Sequence, residues 1–167
     1  MTFYADRVDL VKWSPDGSGL VFAKSLGGDE NAQLFWLSPD GSKVRALTDN
    51  PKVRHDFGSW SHDGKKISFA SNERSKDFFD VYMMDVMSGK RELVYQQDGT
   101  NRPVAWAFDD RRLIVSHEGE TMSLDNDLYL VDTRTKQATH LTPHAGAAQF
   151  GSVYFLPDGH SILFGTN

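Results

Sequence analysis

A motif repeated four times at a spacing of 46–49 residues, short strands separated by turns, and no helical periodicity predict an all-β fold. The fold is a β-propeller of four-stranded blades, whose repeats are about this long. Each copy opens on an aromatic residue (Trp13, Trp60, Trp106, Phe155) with an aspartate three residues on (Asp16, Asp63, Asp109, Asp158). An aliphatic residue follows at seven (Leu20, Ile67, Leu113, Ile162) and a hydrophobic one at nine (Phe22, Phe69, Val115, Phe164).

The first repeat is the template. Val8 to Trp13 alternates as a short strand and runs into Ser14-Pro15-Asp16-Gly17. Proline presets φ, aspartate bonds the local backbone and glycine accepts φ > 0, so this is a tight turn. Leu20 to Ala23 is the second strand, Lys24 to Ala32 a longer polar loop, and Leu34 to Leu37 the third strand. The turn Ser38-Pro39-Asp40-Gly41 leads to a fourth strand, Val44 to Thr48. The second repeat predicts strands at Ile67–Ala70, Val81–Asp85 and Glu92–Tyr95, with a charged loop from Asn72 to Phe79. In the third, the strands are Leu113–Val115, Leu128–Asp132 and Ala138–Thr142. The third strands are apolar on both faces, which suits sheets covered on both sides by neighbouring blades. The four leading aromatics read as packing between blades, not as a ligand-stacking box.

The whole chain, residues 1–167, is thus expected to be a partial propeller of about three and a half blades. The repeats run from about 8 to 48, 55 to 95, 102 to 142 and 150 to 167. Four full blades would need roughly 188 residues, so the segment is open and not a closed ring by itself. Its open blade edges are expected to self-associate, or to be met by further blades.

Composition excludes several functions. The formal charge of −5 and a pI near 5.6 argue against a nucleic-acid partner. No polybasic run favours a membrane surface, and no apolar run approaches the ~18 residues of a span. There are no cysteines, hence no disulfide, thiol nucleophile or thiolate metal site. The start, Met1 to Arg7, lacks an apolar signal-peptide core, so the chain as written reads as cytoplasmic, or periplasmic if a leader has been removed.

Motifs for chemistry are sparse. The nucleophile pattern G-x-S-x-G and both glycine-rich phosphate patterns are absent, so the chain alone is not expected to be an enzyme. Gly27-Gly28-Asp29-Glu30 matches four letters of the diguanylate cyclase signature, but Asn31 follows and no alternating α/β pattern surrounds it. It reads as a hairpin loop. His62-Asp63 falls in a repeated turn, and His117, His140 and His144 share no ligand spacing, so no metal or cofactor is expected. The long charged loops all lie on one face, opposite the tight turns, and function on rigid scaffolds concentrates in such loops. Glu30, Arg54, His55 and Arg74 are the candidate binding residues there.

Asp80-Val81-Tyr82-Met83-Met84-Asp85 and Asp127-Leu128-Tyr129-Leu130-Val131-Asp132, each following a Trp-led turn, resemble the TolB-type propeller repeat. Gln33 to Ser38 departs from it at both acidic positions and the tyrosine. Gly27 to Leu34, Arg54 to Gly58, Ala70 to Arg74 and Leu141 to His144 resemble the propeller of prolyl oligopeptidase-family serine peptidases, especially acylaminoacyl- and dipeptidyl-peptidase-like bacterial members. That resemblance implies a propeller covering a C-terminal α/β-hydrolase domain and restricting it to peptide-sized substrates. The Ser-Asp-His triad would belong to that domain, so no catalytic residue carries over to this chain. A TolB-like propeller that binds a protein partner is the alternative.

Overall fold

A computed structural model describes residues 8–25, 27, 29–120 and 124–167. The N-terminal segment read for a signal peptide lies outside the described residues, as do Leu26 and Gly28 of the first long loop. The chain forms antiparallel meanders in sequence order. The first blade is β1 (Val8–Trp13), β2 (Leu20–Lys24), β3 (Gln33–Leu37) and β4 (Val44–Ala46). The second is β5 (His55–Trp60), β6 (Lys66–Ser75), β7 (Phe78–Asp85) and β8 (Arg91–Tyr95). The third is β9 (Thr100–Trp106), β10 (Arg112–Glu118), β11 (Asp127–Asp132) and β12 (Ala138–His140), and β13 (Phe150–Phe155) and β14 (Ile162–Thr166) make a half blade. Among the described residues no ring closes: the sheets are an open series of propeller blades.

One sequence expectation fails locally. The segment 72–79, expected to be a charged loop, instead continues β6 and β7 as a hairpin that turns tightly at Lys76 and Asp77, with Ser75 opposite Phe78. The polar run from Asn72 to Asp77 is followed by half-buried Phe78 and Phe79, and cross-strand pairing outweighs the polarity of the run.

The turns repeat one piece of chemistry. In three of the turns the serine two residues before the aspartate donates to it: Ser14 to Asp16 at 2.7 Å, Ser38 to Asp40 at 2.6 Å and Ser61 to Asp63 at 2.7 Å. The same carboxylates accept the amides of Ser18, Ser42 and Lys65. Hydrogen bonds to Asp16 from the Ser18 amide and the Ser14 hydroxyl, and to Asp40 from Ser38 and Ser42, lower both carboxyls to about 2. Neighbouring turns also interlock. Asp110, at φ 52°, accepts the amides of His62 and Asp63 at 2.7 and 2.9 Å. Gly64 sits at φ +69°, where a Cβ would meet the Asp16 carboxylate at 2.6 Å.

The core lies between blades. Leu34 of the first packs with Ile67, Phe69 and Trp60 of the second. Val81 of the second packs with Trp106 and Leu113 of the third. Ile114 and Leu128 of the third meet Val153 of the half blade. Trp60 and Trp106 are 9% and 3% exposed, as expected of inter-blade packing, and Trp60 Nε1 donates to Lys12 O at 3.1 Å. Trp13 departs from the pattern at 56% exposed, because its blade face meets no other blade among the described residues.

Candidate binding face and inner trough

On the loop face, each blade is stitched to the next by the backbone just before or at the start of its third strand. His55 N donates to Ala32 O, Phe79 N to Gly99 O and Asn126 N to Ala148 O, each at 3.0 Å. This brings the loop between second and third strands against the segment entering the next blade. A buried side-chain amide closes each junction. Gln33 Nε2 donates to Asn50 O at 2.8 Å and Val53 O at 2.7 Å. Asn101 Nδ2 donates to Phe79 O at 2.7 Å and Gln97 O at 2.6 Å. Asn126 accepts the Phe150 amide at 2.7 Å and donates to Phe150 O at 2.9 Å. These amides are at most 7% exposed and fully engaged, so they hold the face rigid. Sequence reading missed them, since a polar residue in or beside a strand carries no signal of the partner that will bury it.

The four residues expected to bind have distinct environments. Glu30 is exposed on the loop after β2. Arg54 Nε donates to Asp56 Oδ1 at 2.7 Å, and its guanidinium lies 6.0 Å from the Phe79 ring. His55 is 2% exposed, its ring edge-on to Phe69. Its Nδ1 has no partner among the described residues. Burial, followed by the Arg91 charge, lowers it to about 4, so it is a neutral core side chain near pH 7. Arg74 forks onto Asp80, with Nε–Oδ2 at 2.7 Å and an NH2 nitrogen to Oδ1 at 3.0 Å, and reaches Asp98 at 2.8 Å. The Asp80 side chain is 1% exposed. The hydrogen bonds to Asp80 and then Asp98 hold the Arg74 guanidinium protonated beyond its ordinary range. No hydrogen bond or ion pair joins any two of these four side chains among the described residues.

Histidines near the face are also committed to structure. His117 bridges Asn101 Oδ1 at 2.7 Å and Gln97 Nε2 at 3.0 Å, a pattern that fixes a neutral ring donating from Nδ1 and accepting at Nε2. Burial lowers its pKa. His144 is the opposite case: Nδ1 faces Thr142 O at 2.8 Å and Nε2 faces Asp125 Oδ1 at 3.0 Å, two acceptors that together favour the imidazolium.

The first strands carry register irregularities against their second strands, as between Phe57 and Trp60 and between Gly151 and Tyr154. Such bulges bend a strand, and they occur where a strand must curve past its neighbours. Between β5, β9 and β13 lies a trough of about 380 Å³. Phe57, Pro103, Val104, Phe150 and Val153 give it an apolar lining, and Asp56 and Arg102 give it charge. Gly58 is required here, since a Cβ would meet Pro103 Cγ at 2.5 Å. Neither Asp56 nor Arg102 is among the candidate binding residues expected from sequence: Asp56 stands out there only as part of the Arg54–Gly58 segment, and Arg102 looks like any other surface charge.

This series of blades superposes on solved propellers. The TolB structure from Acinetobacter baumannii superposes with a TM-score of 0.70 over 95% of this chain and 37% of that one, at 15% identity. The chain has a TolB-like β-propeller fold. Dipeptidyl peptidase 4 of Porphyromonas gingivalis superposes with a TM-score of 0.65, over 83% of this chain and 20% of that one, at 16% identity. In sequence, the chain is 28% identical over 162 residues to the uncharacterized peptidase YuxL of Bacillus subtilis. That alignment takes in 93% of this chain and 21% of the relative, so the chain spans about a fifth of that protein's length. No family model matches the sequence. The TolB-like propeller is thus related both to TolB and to propellers of proteins named as peptidases.

Proposed function

We propose that the chain is the non-catalytic propeller segment of a prolyl oligopeptidase-like serine peptidase. In this reading it gates and orients peptides for a hydrolase domain outside this sequence. The observation that carries it is the similarity to peptidase YuxL along 93% of the chain. The loop face supplies the binding surface, with Glu30 and Arg54 exposed or partly exposed for ligand contact. His55 and Arg74 support that surface from beneath, through packing on Phe69 and the fork onto Asp80.

A fluorophosphonate probe tests this reading on the full-length gene product. Serine labelling of that product within a G-x-S-x-G elbow, with none on the 167-residue chain, supports it; a product made only of further propeller repeats overturns it. The second reading is a TolB-like propeller that binds a protein partner, favoured by the 0.70 superposition on TolB. It predicts a full-length product with no labelled serine whose affinity for a protein partner falls on substituting Glu30 or Arg54.

A further inference from the structure

The arginines of this chain are held unequally. Arg54, Arg74, Arg91 and Arg112 each sit 2.7–2.9 Å from a carboxylate oxygen. Arg102 approaches its carboxylate, Asp56 Oδ2, only to 4.0 Å, and its side chain is 52% exposed. The other oxygen of Asp56 is already taken by Arg54. Two guanidiniums therefore share one carboxylate, and the looser of them borders a trough whose remaining wall is mostly apolar. A cavity of this size accepts a small ligand or the end of a chain, not a folded domain. A ligand complementary to it carries one carboxylate with an apolar side chain directly beside it.

We propose that the trough takes the C-terminal end of a peptide, with Arg102 hydrogen-bonding the terminal carboxylate and Phe57, Val104, Phe150 and Val153 receiving the last side chain. The planar guanidinium matches a carboxylate with two parallel N–H donors, and a ligand carboxylate meets a cation that Asp56 only partly neutralises. Arg54 stays on Asp56 and keeps that carboxylate from competing. This assignment rests on the reading of the propeller as a peptide gate, and it adds a polarity: the chain end enters the trough carboxylate towards β9.

The test uses the 167-residue protein and dansyl-Gly-Leu-Phe as the free acid and as the amide, followed by fluorescence anisotropy. The free acid is expected to bind about five- to tenfold more tightly than the amide, the range of one partly exposed charge-assisted contact. Arg102→Gln should abolish the preference by weakening the free acid more than the amide, and Arg102→Lys should retain part of it. Lys90→Gln, on the turn face, should change neither. Equal binding of acid and amide overturns the carboxylate assignment but leaves the peptide-gate reading standing. So does an amidated dansyl-Gly-Leu-Asp that binds as tightly as the free acid, which would transfer recognition to side-chain carboxylates. Loss of acid and amide binding alike in Arg102→Gln overturns the anchor role. No binding of any probe at millimolar concentration overturns both readings.

Discussion

Replacing Arg74 by methionine should destabilise the protein, not merely alter its surface. Asp80 beneath it is 1% exposed and takes two of the guanidinium's hydrogen bonds, at 2.7 and 3.0 Å. Removing one partner of a fully buried pair costs about 3–5 kcal/mol, because a charge is left without compensation. The Arg74 side chain is 28% exposed, so water can partly replace it, which lowers the expected loss to about 2–3 kcal/mol. For a chain of this size that corresponds to a fall in Tm of roughly 5–10 °C. Urea unfolding followed by tryptophan fluorescence measures it, with an unchanged m-value showing that the folded and unfolded states still differ by the same buried surface. The double variant Arg74→Met/Asp80→Leu should recover at least half of the loss, since an apolar pair of similar volume needs no compensation. A single variant within about 0.5 kcal/mol of the parent would refute the reasoning and free Arg74 for a direct role in binding.

Two histidines should shape opposite limbs of the stability–pH profile. His55, lowered to about 4 by burial, contributes stability that is complete above pH 6.5 and is lost as pH falls towards 4, on the order of 3 kcal/mol. The His144 pKa is raised, first by Thr142 O and then by Asp125, so its contribution is complete below 6.5 and is lost as pH rises through the raised value. Melting scans of His144→Gln from pH 4 to 9 should show a flattened alkaline limb and an unchanged acid limb. Gly64→Ala should cost about 1–3 kcal/mol, because alanine is strained at positive φ and its Cβ meets Asp16. Urea unfolding would show no loss if that turn could relax. Trp106→Ala should cost about 3–5 kcal/mol and Trp13→Ala under 1, following their 3% and 56% exposure. The exposed face around Val11 and Trp13 should drive self-association, so light scattering across a concentration series should report smaller species for Trp13→Glu than for the parent. A parent that stays monomeric at every concentration would refute that last expectation.

The propeller was legible in the sequence because its determinants are local and repeated. A turn needs only Ser, Asp and Gly at fixed offsets, with Pro presetting φ in the Ser14 and Ser38 copies, and Ser14, Ser38 and Ser61 bond the aspartate two residues on wherever the rest of the chain goes. Strand patterns likewise depend on neighbours within a few residues, and four copies reinforce one another. The hairpin over 72–79 was misread because polar composition argued for a loop while the pairing of Ser75 with Phe78 depends on the register of two long strands.

Only the tertiary structure decided which of equivalent residues is buried and which polar groups meet. Trp13, Trp60 and Trp106 occupy the same repeat position, yet their burial depends on a neighbouring blade that lies on one side of each. Arg54 and Asp56 lie two residues apart in sequence, but Arg102 reaches Asp56 only because β5 and β9 converge, and the trough exists only between first strands that are 40 or more residues apart in the chain. Hydrophobic spacing records which face of a strand is covered. It does not record what covers it, because that depends on how blades pack at distances that no short window of sequence spans.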